Sequence, residues 1–285
     1  MKFIFKGYTL FILLVILTIV SLFIGVSQLS LIDIFHLSDE QINILFSSRI
    51  PRTVSILLSG SSLALSGLIM QQMMQNKFVS PTTAGTMEWA KLGILMSLLF
   101  FPNGPILIKL LFAVVLSIVG TFLFVQLINL IRVKDVIFVP LLGIMIGGIL
   151  SSFTTFVALR TNALQSIGNW LTGNFAVITS GRFEVLYLTI PLLILAFVFA
   201  NHFTIAGMGK DFSHNLGVSY EKIIKIALFI TATLTALVVV TVGTLPFLGL
   251  IVPNIISIYR GDHLKNALPH TLMLGAIFVL IADII

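Results

Sequence analysis

Arg49 and Arg52 are the residues of this chain whose type and spacing point most directly to chemistry. They stand three apart around Pro51, just ahead of about twenty-two uncharged residues crowded with Gly, Ser and Ala. Read from the residues alone, they are cations at the end of a helix rich in small side chains, where they can snorkel to the interface. Other chemistry is scarce. Gly209-Lys210 lacks the upstream glycine and the following Ser/Thr of a phosphate loop, so energy from ATP would have to come from a separate subunit. His36, His202, His214, His263 and His270 fall in predicted loops, not one turn apart on a span, which argues against a metal site. The chain has no cysteine, so thiolate ligation, thiol catalysis and disulfides are excluded. No catalytic set and no cofactor site emerges, and the chain reads as a non-enzyme.

The apolar stretches are nearly free of charge. Lys109 lies near a span end, where it can snorkel, and Asp283 lies near the outer end of the last span. Carriers coupled to protons or sodium usually place acidic residues or broken helices near the bilayer midplane. Proline breaks exist at Pro140, Pro191, Pro246 and Pro253, but no buried carboxylate is expected beside them. A pathway with passive walls, driven by a partner, fits better.

These residues must be positioned by membrane helices. Of 285 residues, 58% are hydrophobic and 9% charged, with a mean hydropathy of +1.15. Soluble domains carry roughly a quarter charged residues, so the chain reads as an all-α, polytopic membrane bundle, with 1–285 as one transmembrane domain. About twenty apolar residues cross a bilayer core. On that measure the spans are about 8–27, 53–74, a third starting before Leu92, 106–131, 136–159, 184–200, 223–243, a short proline-bounded run 245–258, and a ninth from near Leu272. Segments 28–48 and 160–183 are predicted outside, with Trp170 at an interface. Residues 201–222 form a predicted cytoplasmic loop of about twenty residues. Gly60, Ala64 and Gly67 on span 2, with Gly143 and Gly147 on span 5, are candidates for close helix packing or for lining the path.

Charge sets the orientation. Lys2, Lys6, Lys77, Lys91, Arg132, Lys134, Lys210, Lys222, Lys225, Arg260 and Lys265 fall on predicted inner segments, eleven of sixteen basic residues. This positive-inside excess puts the N-terminus in the cytoplasm. The basic residues are too dispersed for a nucleic-acid surface.

Arg49-Ile50-Pro51-Arg52, followed by Leu63-Ala64-Leu65-Ser66-Gly67 and Asn76-Lys77-Phe78-Val79-Ser80-Pro81, resembles the second membrane helix of the FecCD-type permeases. These are membrane subunits of ABC importers for iron-siderophores, haem and cobalamin. The loop Asn76–Thr86, with Ala90-Lys91-Leu92-Gly93 behind it, is closest to the catecholate and petrobactin branch. Trp170-Leu171-Thr172-Gly173, Gly249–Pro253, Asp262-His263 and Ala282-Asp283 also follow the family pattern. Asn254 stands where the family usually has His, so no role for that His carries over. The resemblance implies ten spans, and the reading here ends inside or just after the ninth, one helix short.

Further expectations follow from the resemblance. Arg49 and Arg52 would face acidic residues on an extracytoplasmic siderophore-binding protein. Asp211, Ser213, Leu216, Gly217 and Val218 would form the segment that docks on a dimer of ATP-binding subunits, with Leu216 and Val218 as an apolar knob. A second permease chain, a paralogue or another copy, would complete the path in a bacterial plasma membrane. The expected function is import of a ferric siderophore of catecholate or petrobactin type. The alternatives are a haem or cobalamin permease and an ion-coupled secondary transporter.

Overall fold

The computed structural model describes residues 7–24, 38–131 and 135–285. Expectations resting on Lys2, Lys6, Asp33, His36, Arg132 and Lys134 lie outside those residues. In chain order the helices are α1 (Gly7–Phe23), α2 (Asp39–Ile44), α3 (Ile50–Met73), α4 (Thr86–Phe100), α5 (Ile106–Ile131), α6 (Phe138–Arg160) and α7 (Leu164–Leu171). They continue with α8 (Thr189–Val198), α9 (Ala200–Ala206), α10 (Lys210–Asn215), α11 (Tyr220–Thr241), α12 (Leu248–Arg260) and α13 (Leu264–Ile284). Every regular element among the described residues is helical.

Five helical stretches are long and apolar enough to cross a membrane: Gln41–Met73, α5, α6, α11 and α13. The bent pair formed by Phe183–Val198 and α9 makes up to six. The expectation of nine spans also counts α1, α4 and α12. At 17, 15 and 13 residues they fall short of the ~20 that a straight helical crossing needs.

Helix α3 is the centre of the bundle. Its apolar window is 78% buried, against 22% for α6, and it packs against α11, α12 and α13. Pro51 sits in its first turn, and the helical backbone continues ahead of it through Arg49 (φ −68°, ψ −52°), so the missing N–H falls where the winding changes to a π turn. Two of its buried serines bond back to the helix: Ser59 Oγ donates to Ser55 O (2.6 Å) and Ser66 Oγ to Ser62 O (2.8 Å). Such back-bonding satisfies hydroxyls where no water reaches them. At its N-terminal end α3 is prolonged by a single π-helical turn, Leu45–Arg49, and by α2, capped by a reciprocal Ser38/Gln41 box, so the described part of segment 28–48 carries a short helix.

Two further boundaries differ from the sequence reading. Helix α13 begins at Leu264, not near Leu272, so His270 is helical. Pro269 sits in the second turn and costs the helix one hydrogen bond. The predicted loop 201–222 carries α9 and α10, and α9 leaves α8 at 59°. Phe199 makes that bend with neither glycine nor proline, so nothing in composition marks it.

Candidate translocation path and docking faces

One end of the bundle is built where α3 begins and α13 ends; the sequence reading places it outside. Arg49 is 5% exposed and its Nη1 donates to the carbonyl of Ile24. Arg52 donates from Nε (3.1 Å) and Nη2 (2.8 Å) to Asp283 Oδ1, and from Nη2 to the Asp283 carbonyl (3.3 Å). The sequence reading had both arginines facing a partner. In the structure Arg49 is turned inward and Arg52 is occupied by a carboxylate 231 positions away, because a cation at the edge of an apolar bundle takes the nearest acceptor.

Breaking a buried pair strands one charge and costs ~3–5 kcal/mol, whereas removing both partners costs far less. Arg52 and Asp283 are 17% and 9% exposed, so the low end applies. Arg52→Gln alone is expected to lower thermal stability clearly, and Arg52→Gln/Asp283→Asn to recover most of the loss. A double-mutant cycle of thermal unfolding measures the coupling.

Beside this pair lies a cavity of about 440 Å³, lined by Asn174, Phe175, Leu245, Pro246, Phe278 and Asp283 among others. One wall is the non-helical segment 242–247. Thr244 is held through its N–H (3.2 Å) and Oγ1 (3.1 Å), both donating to Leu171 O. Phe247 adopts a left-handed conformation (φ 62°) as the residue that starts α12. Helix α12 starts deep: a methyl group added at Gly249 would sit 2.8 Å from Leu63 O, and one at Gly67 would sit 1.7 Å from Gly249 O. At ~1.5 Å per residue, its 13 residues cover only the inner part of a bilayer. Tight approach recurs where α3 meets α13, with Gly60 2.6 Å from Gly275 O, measured from the added methyl, and Gly275 2.5 Å from Ala64 Cβ.

At the opposite end of α3 the loop that follows it is folded. Asn76 Nδ2 donates to Val136 O (2.8 Å), and its Oδ1 accepts from Phe78 N–H (2.9 Å). A methyl at Gly143 would lie 1.9 Å from Thr83 O, so the loop seats directly on α6. Gly147 sees only ordinary contacts, 3.5 Å from the Glu88 side chain and 3.6 Å from Gly85 Cα. Lys91, placed by sequence on an inner segment, lies on α4 and pairs with Glu88 at 3.1 Å. Together with Arg52–Asp283, this means that half-buried carboxylates do sit on the helices, each beside a cation of the same chain.

A second cavity, about 430 Å³, opens between Gln71, Gln72, Gln75 and Asn76 on one side and Met208 and Asp262 on the other. Lys77 pairs with Asp262 and donates to Ser257 Oγ (2.7 Å), while Asn254 Nδ2 donates to Lys77 O (2.9 Å). Asn254 therefore ties the loop to α12. Burial alone would raise the Asp262 pKa, but hydrogen bonds from Lys77 and Ser257 and the Lys77 charge hold it below the usual value of 3.8. A depressed folded-state value stabilises above the unfolded pKa and is lost as pH falls through the lowered one. The stability difference between wild type and Asp262→Asn is expected to be flat across neutral pH and to vanish only below about 3.8, as melting curves against pH would record.

The segment after α9 turns at Gly209 (φ 109°) and Gly217 (φ 71°), backbone that favours glycine. Ser213 is fully buried and its Oγ donates to Gly209 O (2.8 Å) and Ile205 O (3.2 Å), fastening α10 to α9. Asp211 is exposed. The exposed apolar residues are Met208, Phe212 and Leu216, 58, 45 and 55% exposed; Phe212 and Leu216, four apart on α10 and its C-cap, share one face, while Met208 precedes the Gly209 turn. Val218, expected on the knob, packs inward against the core. Phe212 and Met208 were not among the residues singled out, although the i, i+4 spacing of Phe212 with Leu216 was an available signal.

A family model described as the FecCD transport family matches residues 13–285. The chain belongs to that family. It is a transport subunit, not an enzyme. Among relatives of the FecCD chain, the petrobactin import system permease protein YclN of Bacillus subtilis is 54% identical, over 97% of this chain and 87% of that one. FatD of Bacillus anthracis, also a petrobactin import system permease protein, is 38% identical over 96% and 80%. The ferric-anguibactin permease FatD of Vibrio anguillarum is 36% identical over 93% and 84%. A solved structure described as a metal-chelate type ABC transporter in an inward-facing conformation superposes with a TM-score of 0.79 at 24% identity, over 97% of this chain and 88% of that one, which bears on the fold.

Proposed function

We propose that this chain is the permease subunit of an ABC importer that moves a ferric siderophore of petrobactin or catecholate type across a bacterial plasma membrane. The observation that carries the reading is 54% identity to a petrobactin permease over 97% of the chain. The partners are a dimer of ATP-binding subunits, a second permease chain and an extracytoplasmic siderophore-binding protein. The N-terminus is cytoplasmic and the described helices make nine crossings, with α4 and α12 completed by the non-helical backbone ahead of them.

Arg49 and Arg52 mark the docking rim, with Asp283 holding Arg52 until an acidic partner competes for it. The chelate passes the cavity beside segment 242–247 and α12. The inner cavity at Gln71, Gln75 and Asp262 lies on the way out. ATP-driven movement enters through the exposed Met208, Phe212 and Leu216, with Asp211 at their edge and Ser213, Gly217 and Val218 holding α10 in place. Gly60, Ala64, Gly67 and Gly143 keep the helices close enough for that movement to be transmitted.

The test is radioactive iron uptake in a strain lacking this permease, complemented with wild type or Arg49→Glu/Arg52→Glu. Ferric petrobactin, a simpler ferric catecholate and haem are supplied separately. Loss of ferric-catecholate uptake on deletion, restored by wild type and not by the double variant, is the expected result. Unchanged uptake of every chelate in a strain with no redundant importer would overturn it.

A further inference from the structure

Trp170 on α7 is half-buried against the core and carries two cations. Arg182 Cζ lies 4.2 Å and Lys109 Nζ 5.4 Å from its ring centroid. Lys109 is only 7% exposed. One of its protons goes to Gly104 O at 2.7 Å, and an ammonium has more donors to satisfy. Arg182 Nε is buried without an acceptor. Neither residue belongs to any ion pair among the described residues. The nearby carboxylate of Glu184 accepts from Gly181 N–H at 2.8 Å.

A buried Lys109 and a partly buried Arg182 sharing one indole are costly unless a counter-charge arrives. A cation–π contact is worth about 0.5–2 kcal/mol, less than the several kcal/mol needed to bury an unpaired ion. Burial also lowers the Arg182 pKa. The cluster faces the outer side. Ser180 donates from N (3.1 Å) to Ser47 O and from Oγ (3.0 Å) to Phe46 O, fastening the turn before Arg182 just ahead of Arg49. Gly173, three residues after Trp170, lines the outer cavity.

We propose that Lys109, Trp170 and Arg182 form a recognition site for an anionic, oxygen-rich chelate at the outer mouth of the path. The ligand class rests on the function proposed above: a ferric catecholate carries net negative charge because its deprotonated oxygens outnumber the charge of the metal. Its oxygens accept from Lys109 Nζ and the Arg182 guanidinium, and its flat ring lies beside the indole. Neutral chelates gain nothing from the two cations, so the site selects for charge.

The test uses the full chain, assembled with its partner subunits, in nanodiscs of zwitterionic phosphatidylcholine. The probe is gallium(III) tris-catecholate, with neutral gallium(III) tris-hydroxamate as comparator. The readouts are fluorescence that disappears in Trp170→Phe and equilibrium dialysis with radiogallium. Saturable binding of the catecholate and not the hydroxamate is expected. Lys109→Gln/Arg182→Gln should weaken it roughly tenfold or more, given the strength of hydrogen bonds to charged groups, and should melt no earlier than wild type, since it removes unpaired buried charge. Equal affinity in that double variant, or no saturable signal in wild type, would overturn the site. So would a signal that appears only when phosphatidylglycerol is added, which would assign the cations to a lipid headgroup. Radioactive iron uptake by the wild-type importer, run in parallel, separates the two claims. Uptake without binding here removes only this site, whereas absent uptake removes the siderophore reading itself.

Discussion

Gly67→Ala is expected to abolish assembly of a stable permease. A methyl group there would sit 1.7 Å from the carbonyl oxygen of Gly249 and 2.4 Å from its carbonyl carbon. Both are backbone atoms at the start of α12, so no side chain can swing aside. Overpacking a core typically costs about 1–3 kcal/mol when neighbouring side chains can shift. Here α3 and α12 would have to part, releasing the Gln71 Nε2 bond to Leu250 O (3.3 Å) as well. The matched control is Gly147→Ala, whose nearest contacts of 3.5–3.6 Å are ordinary and which should be near neutral. Fluorescence-detected size-exclusion with a thermal ramp distinguishes the two. A stable, transport-competent Gly67→Ala would mean that the seam between α3 and α12 is looser than described.

Phe212→Asp/Leu216→Asp should leave the fold intact and uncouple it from ATP. Both side chains are about half exposed, so the permease gives up little packing. An apolar anchor pair at the centre of an interface commonly carries ≥ 2 kcal/mol per residue. Transport and permease-dependent ATP hydrolysis should therefore fall by roughly tenfold or more, with unchanged melting. Val218→Ala is the informative contrast. That side chain packs into the core, so its truncation should lower stability before it lowers coupling. If Phe212→Asp/Leu216→Asp transports normally, the docking face lies elsewhere.

Much of the architecture was legible because a bilayer rewards one pattern. The span expected at 106–131 is α5 to the residue, and the small-residue run of span 2 marks the most buried helix. Apolar length and small side chains are local properties, so a sequence displays them. Pairings across the bundle are not. Arg52 and Asp283 lie 231 positions apart, and nothing local says that one neutralises the other. The seam between α3 and α12 is likewise a meeting of Gly67 and Gly249, two glycines on segments remote in sequence. Phe199 bends the chain by 59° without the residues that ordinarily announce a bend. Val218 was assigned outward because a short loop offers too few residues for a period to be read. In α10 the spacing was present, but it ran through Phe212 and not through Val218.

Gly243–Phe247 crosses the outer part of the bundle as open chain. Hydrocarbon offers nothing to a peptide group, and each unmet N–H or carbonyl there costs several kcal/mol. Here the chain answers much of that demand itself. Gly243 N–H donates to Val238 O and Val239 O, Thr244 N–H to Leu171 O, and Pro246 has no N–H to satisfy. The exposed Pro246 and Phe247 give their carbonyls to the N–H groups of Leu248, Leu250 and Ile251. The first turn of α12 is thus what lets the helix break, because it folds back to cover the carbonyls that the break would otherwise leave bare.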